Sequence, residues 1–141
     1  MANERKVVLS VEDNQDIANL IRLVLRHAPI DLLQATTGDE ATLMLARRRP
    51  DLILLDMMLP GKTGLDYLTE LRKDARFADT PVVVISVRAD TAYRARALEL
   101  GVVRYLLKPF SPAVLRHEIQ QILGVTWQDA EKLPGLPPSN V

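Results

Sequence analysis

The chain has 141 residues, enough for one domain with a real core and too few for two. Acidic and basic residues balance at 18 each, which argues against nucleic-acid binding by bulk charge. There is no cysteine, which excludes a disulfide framework, thiol catalysis and a cysteine-based zinc site; His27 and His117 are too few and too far apart for a histidine-based one. No apolar stretch is long enough to cross a bilayer and no signal-peptide core follows the N-terminus, so a cytoplasmic protein without a membrane partner is expected.

In chain order, short β-branched runs alternate with longer amphipathic ones. The first strand is expected over Lys6–Val11. Ile17, Leu20, Ile21, Val24 and Leu25 then repeat with the spacing of one helical face, with Asp13 or Asn14 as cap and Pro29 as stop. A second strand, Asp31–Ala35, is short and mixed, which fits a sheet edge. The next helix is expected over Gly38–Arg49, its closing Arg47–Arg49 facing the negative end of the helix dipole. Leu52–Asp56 is an apolar strand, and Leu65, Leu68 and Leu71 stripe the helix after it. Pro81–Ser86 gives a fourth strand, Asp90–Leu100 a helix ended by Gly101, and Val102–Leu107 a fifth strand. Ser111 and Pro112 open a last helix striped by Leu115, Ile119 and Ile122 and ended by Gly124. The domain is therefore set at residues 1–124. Residues 125–141, with Pro134, Gly135, Pro137 and Pro138, read as a proline-rich tail or linker whose start Trp127 pins to the domain.

Strands alternating with helices in this way build an α/β domain around a five-stranded parallel sheet with five helices. Right-handed crossovers leave few topologies, of which the doubly wound order 2-1-3-4-5 sets the first and third strands side by side at a switch point. Glu12 and Asp13 end the first of these strands and Asp56 the third; Ser86 and Lys108 end the fourth and fifth. Taken singly, each has a bland role: Asp13 a helix cap, Ser86 a turn residue, Lys108 a solvated charge. Together they make one crevice with three carboxylates, a hydroxyl and an ammonium. Three carboxylates at one spot repel unless a cation joins them, and Mg2+ takes oxygen ligands together with phosphate oxygens. A carboxylate can also act as a nucleophile and accept a phosphoryl group, a transfer that needs mainly alignment and charge neutralisation.

The segments Val11–Asn14, Leu55–Gly61 with Gly64, Ile85–Ser86 and Tyr105–Phe110 resemble the receiver domain of two-component response regulators, over about residues 5–124. The resemblance implies a flavodoxin-like fold and the following roles. Asp56 is the phosphoacceptor, charged from the phosphohistidine of a histidine kinase or from a phosphotransfer protein. Asp13 ligates Mg2+ or Mn2+ directly and Glu12 mostly through water, with Asp56 and the backbone carbonyl of Met58 completing the protein ligands. Ser86 and Lys108 contact the phosphoryl oxygens, and the Lys108–Pro109 bond is cis. Ser86 and Tyr105 form the switch that biases the fourth helix, fifth strand and fifth helix toward an effector, a downstream domain or a phosphorylation-dependent dimer. Such a domain catalyses only its own phosphorylation and dephosphorylation, and here makes no direct contact with nucleic acid.

Some positions depart from the family's habit. Met58 and Arg88 lie two residues after Asp56 and Ser86, and are expected to shield the acyl phosphate and tune its lifetime; Val87 is bulkier than the small residue common there. The stretch Gly101–Tyr105 lacks the acidic residue that one large subfamily uses in a symmetric dimer, while Arg94, Arg96 and Arg104 make this face basic. Rival readings are a haloacid-dehalogenase-type hydrolase, a flavodoxin-like cofactor binder and a degenerate receiver that only binds partners. The first needs an acid where Met58 stands, the second a phosphate cradle where Glu12 and Asp13 stand, and the full residue set weighs against the third.

Overall fold

Buried valine, leucine and isoleucine runs set the architecture, because a strand covered on both faces has no place for polar side chains. The fold is taken from a computed structural model that describes residues 5–127. Its elements are β1 Lys6–Val11, α1 Gln15–Val24, β2 Ile30–Ala35, α2 Gly38–Leu45, β3 Leu52–Asp56, α3 Gly64–Lys73, β4 Val82–Ser86, α4 Thr91–Glu99, β5 Arg104–Leu107 and α5 Pro112–Leu123. The sheet is parallel in the order β2-β1-β3-β4-β5, so β2 does lie at an edge and β1 and β3 are neighbours. The proline-rich stretch read as a tail lies outside the described residues.

Two cores flank the sheet. Leu9, Val11, Ile53, Leu55 and Val84 face one core with Tyr67, Leu68 and Leu71 of α3; Val8, Leu52, Leu54 and Ile85 face the other with Ile21 of α1 and Leu115 and Ile119 of α5. Trp127 is buried in the second core, and Gln120 Nε2 donates to its carbonyl at 2.9 Å. The packed chain thus runs three residues past Gly124, where the sequence set the end of the domain. No helix of the described residues is long and apolar enough to cross a membrane.

Each helix starts at a side chain that accepts a backbone N–H: Asn14, Thr37, Thr63, Asp90 and Ser111. Two boundaries differ from expectation by more than one residue. α2 stops at Leu45, and the N–H groups of Arg47 and Arg48 both turn back to the Met44 carbonyl at 3.0 Å. Pro50 drives the residue before it out of helical geometry, so Arg47–Arg49 follow the helix instead of closing it. β5 starts at Arg104, because the Val102 N–H is drawn to the Ala97 carbonyl at the end of α4, with Gly101 between them at φ 81°.

Candidate functional site

Parallel strands end together, and the order of this sheet places the ends of β1, β3, β4 and β5 along one crevice. Glu12, Asp56 and Ser86 are buried there, Asp13 is exposed and Lys108 is half-buried. Glu12, Asp13 and Asp56 each offer a carboxylate oxygen within 4.8 Å of the others. The cap of α1 decides the role left to Asp13. Asn14 accepts the Ile17 N-H at 3.0 Å, so capping does not occupy the Asp13 carboxylate.

The Lys108 ammonium lies 3.3 Å from Glu12 Oε1 and 3.5 Å from Asp56 Oδ1, and hydrogen-bonds Glu12 Oε2 at 3.4 Å. The Lys108–Pro109 bond is cis. One ammonium does not balance the crowded carboxylates. Burial, then the nearby Asp56 carboxylate, push the Glu12 carboxyl up to about 7, against the opposing pull of Lys108 and the Asn14 N–H. Glu12 Oε1 is buried without a hydrogen-bond partner among the described residues. A buried carboxylate oxygen that has an ammonium nearby but no hydrogen bond, beside two more carboxylates, fits a hard divalent cation such as Mg2+ or Mn2+.

Asp56 is held by its own neighbours. The Met58 N–H donates to Asp56 Oδ1 at 3.0 Å, while Met58 itself stands 56% exposed. Gly64 opens α3 against this strand end: a Cβ there would sit 2.4 Å from Met57 Cα and 2.6 Å from the Asp56 carbonyl. Absence of a side chain at Gly64 is what lets α3 pack beside the carboxylate.

Across the crevice, Ser86 Oγ accepts the Arg88 N–H at 3.0 Å. Tyr105 is buried with its hydroxyl on the Arg88 carbonyl. The Arg88 guanidinium is paired with Asp90 at 3.0 and 3.2 Å and stacks 3.9 Å over the Tyr93 ring. It is therefore committed to the start of α4, away from the reach toward the crevice expected from sequence. Of the other residues singled out by sequence, Glu12, Asp13, Asp56 and Lys108 meet at one point, and Ser86 and Tyr105 are joined through the backbone of Arg88. Sequence reasoning missed Gly64's packing role and Arg72, whose guanidinium donates to the carbonyls of Phe77, Thr80, Leu100 and Gly101. Arg72 fastens the far end of the sheet beside a cavity of about 430 Å³, and no periodicity marks it.

The response regulator receiver domain family matches residues 8–120. The phosphate regulon transcriptional regulatory protein PhoB of Pseudomonas aeruginosa is 32% identical over 129 residues, 92% of this chain and 56% of that protein. The chain thus spans about half the length of the curated relatives it matches. A Francisella response regulator receiver domain superposes with a TM-score of 0.77 at 30% identity, covering 85% of this chain and 98% of that one. The receiver domain of the sensor histidine kinase PA1611 from P. aeruginosa, solved with magnesium in its active-site cleft, superposes at 0.75 with 29% identity, covering 86% and 99%. Receiver domains are signalling modules of two-component systems. With the five-stranded doubly wound sheet and the carboxylate cluster at its switch point, these likenesses establish that the chain belongs to the response regulator receiver domain family.

Proposed function

We propose that Asp56 accepts a phosphoryl group from the phosphohistidine of a histidine kinase or phosphotransfer protein. The observation that carries this reading is the position of Asp56: a buried carboxylate ending β3, with Glu12, Asp13 and Lys108 gathered around it. Glu12, Asp13, Asp56 and the Met58 carbonyl would hold Mg2+ or Mn2+. When bound, the cation neutralises charge on the phosphoryl oxygens and the carboxylates.

Asp56 supplies the nucleophilic oxygen, and the fixed Met58 N–H orients it. Lys108 places its ammonium against a phosphoryl oxygen. Ser86 turns its hydroxyl from the Arg88 N–H toward another. Loss of that contact at Arg88, with the Tyr105 hydroxyl on the same residue's carbonyl, carries the change toward α4 and β5. This is a population shift between two packings, not a new fold. Met58 overhangs the site and shields the acyl phosphate, so the domain governs only its own phosphorylation and dephosphorylation.

The reading places the receiver at residues 1–124 with a tail or linker after it, working in the cytoplasm. Its output goes to an effector or a further domain through the face built by α4, β5 and α5. The deciding experiment is intact mass after incubation with Mg2+ and acetyl phosphate, beside Asp56→Asn. One added phosphoryl group, absent in the variant and abolished by chelator, is expected. No gain from acetyl phosphate, together with an amide spectrum unmoved by beryllofluoride and Mg2+, would leave only a partner-binding receiver.

A further inference from the structure

Beyond its first residue, where the Arg5 guanidinium donates to the Ile30 carbonyl at 2.8 Å, the edge strand β2 lacks the devices that keep an edge from pairing. Proteins blunt such edges with lysine, proline, bulges or short strands. β2 is six residues long and pairs with β1 in unbroken register from Lys6–Ile30 to Val11–Ala35, so it carries no bulge. Its sequence is Ile-Asp-Leu-Leu-Gln-Ala, with no lysine and no proline. The one charge, Asp31, is matched by Arg5 at 2.7 Å and Arg48 at 3.1 Å. Leu32 and Leu33 are only half-buried, and among the described residues no strand pairs with the outer side of β2.

Charge is distributed along this edge with opposite signs at its two ends. Arg5, Arg26, Arg47, Arg48 and Arg49 are exposed around the start of β2, on the loops that close α1 and α2 and at the entry to β1. Arg26, Arg47 and Arg49 have no acidic partner among the described residues. Around the end of β2 stand the first turns of α1 and α2, with exposed Asp16, Asp39 and Glu40. The formal charge of the whole chain is zero, so no net repulsion opposes self-association.

We propose that the free edge of β2 pairs antiparallel with β2 of a second copy, joining the two sheets across a twofold axis. The antiparallel arrangement sets the arginine end of each copy against the acidic end of the other. A parallel arrangement would set arginines against arginines. A twofold contact closes on itself, so the product is a dimer and not a filament. Main-chain hydrogen bonds supply the pairing, the half-buried leucines lose water, and the two charge ends fix direction and register. The surface lies away from α4, β5 and α5, and its use does not depend on phosphorylation of Asp56.

Sedimentation of the unphosphorylated full chain over a concentration series tests this, with hydrogen exchange read on the same samples. A reversible dimer is expected that weakens about tenfold or more in about 0.5 M salt, where charge interactions are screened within a few ångström. The outward-facing amides of Leu32 and Gln34 should gain protection as the dimer forms, while those of residues 31, 33 and 35 already pair with β1. Leu33→Lys should abolish the dimer while phosphorylation by acetyl phosphate persists. Because Leu33 also packs on the core, Arg47→Glu is the second variant; its exposed side chain makes no ion pair among the described residues, and it should weaken the dimer in the same way. A monomer at every concentration would overturn the proposal, including one whose β2 amides are already protected by the chain's own ends. So would a dimer that forms only with beryllofluoride, or one indifferent to salt and to both variants.

Discussion

The hydroxyl of Tyr105 donates to the backbone carbonyl of Arg88 at 3.0 Å, across a gap of 17 residues. The same Arg88 gives its N–H to Ser86 Oγ and its guanidinium to Asp90, the cap of α4. One residue therefore touches the hydroxyl at the crevice, the ring of the fifth strand and the first turn of the fourth helix. Removing the Tyr105 hydroxyl in Tyr105→Phe should cost about 1 kcal/mol of folding stability in a urea titration. Arg88→Ala keeps both backbone bonds but loses the Asp90 pair and the Tyr93 stack. It should still be phosphorylated on Asp56, while amide signals in the first turn of α4 no longer follow beryllofluoride binding. Unchanged signals there would remove Arg88 from the route.

Glu12 makes stability fall as pH rises. Its folded value is raised to about 7 from an ordinary 4.5, so between these values the folded chain holds more proton than the unfolded one. The contribution is fully present below about 4.5 and is lost as pH passes through about 7, on the order of 1–3 kcal/mol. The salt-bridged Asp74, held down to about 2 by Arg76, titrates outside this window. Urea unfolding in chelator should show higher stability at pH 5.5 than at pH 7.5. Glu12→Gln should flatten that slope, and Mg2+ should restore stability most at the higher pH. A slope that survives in Glu12→Gln would assign it elsewhere.

Gly64→Ala forces a methyl into the backbone of Met57 and the carbonyl of Asp56. The obstacle is main chain, which cannot rotate aside. A loss of about 1–3 kcal/mol is expected from overpacking. Because the displaced strand end carries Asp56, the rate of phosphorylation by acetyl phosphate should fall as well. Lost stability with an unaltered rate would mean that α3 yields and the strand does not.

Met58→Asn should leave stability within about 0.5 kcal/mol, as the side chain is exposed. The rate of phosphate loss from Asp56 should nevertheless change several-fold, because an amide at the mouth of the crevice can hold water where a thioether excludes it. An equal rate would reduce Met58 to its backbone contributions.

Periodicity and end-of-strand chemistry made most of this molecule legible. The strands announce themselves through apolar runs such as Val82–Ile85, and the crevice through polar residues that stop those runs at Asp56, Ser86 and Lys108. What stayed hidden depends on reach. Arg72 contacts carbonyls up to 29 residues away, and Arg88 takes up Asp90 and Tyr93 in place of the crevice. Long flexible side chains choose among several partners, and sequence spacing does not say which. The early end of α2 is legible in principle, because Pro50 bars the residue before it from helical geometry whatever the charge of Arg47–Arg49.

Trp127 is the chain's one tryptophan, and it sits beyond the last turn of α5, in the same cluster as Leu25, Ala28 and Ile30. α5 runs back from the crevice, so the indole lies at the opposite pole from Asp56. Its fluorescence is thus an optical gauge of unfolding that ignores what occupies the crevice, and the two processes can be followed in one cuvette without correcting one signal for the other.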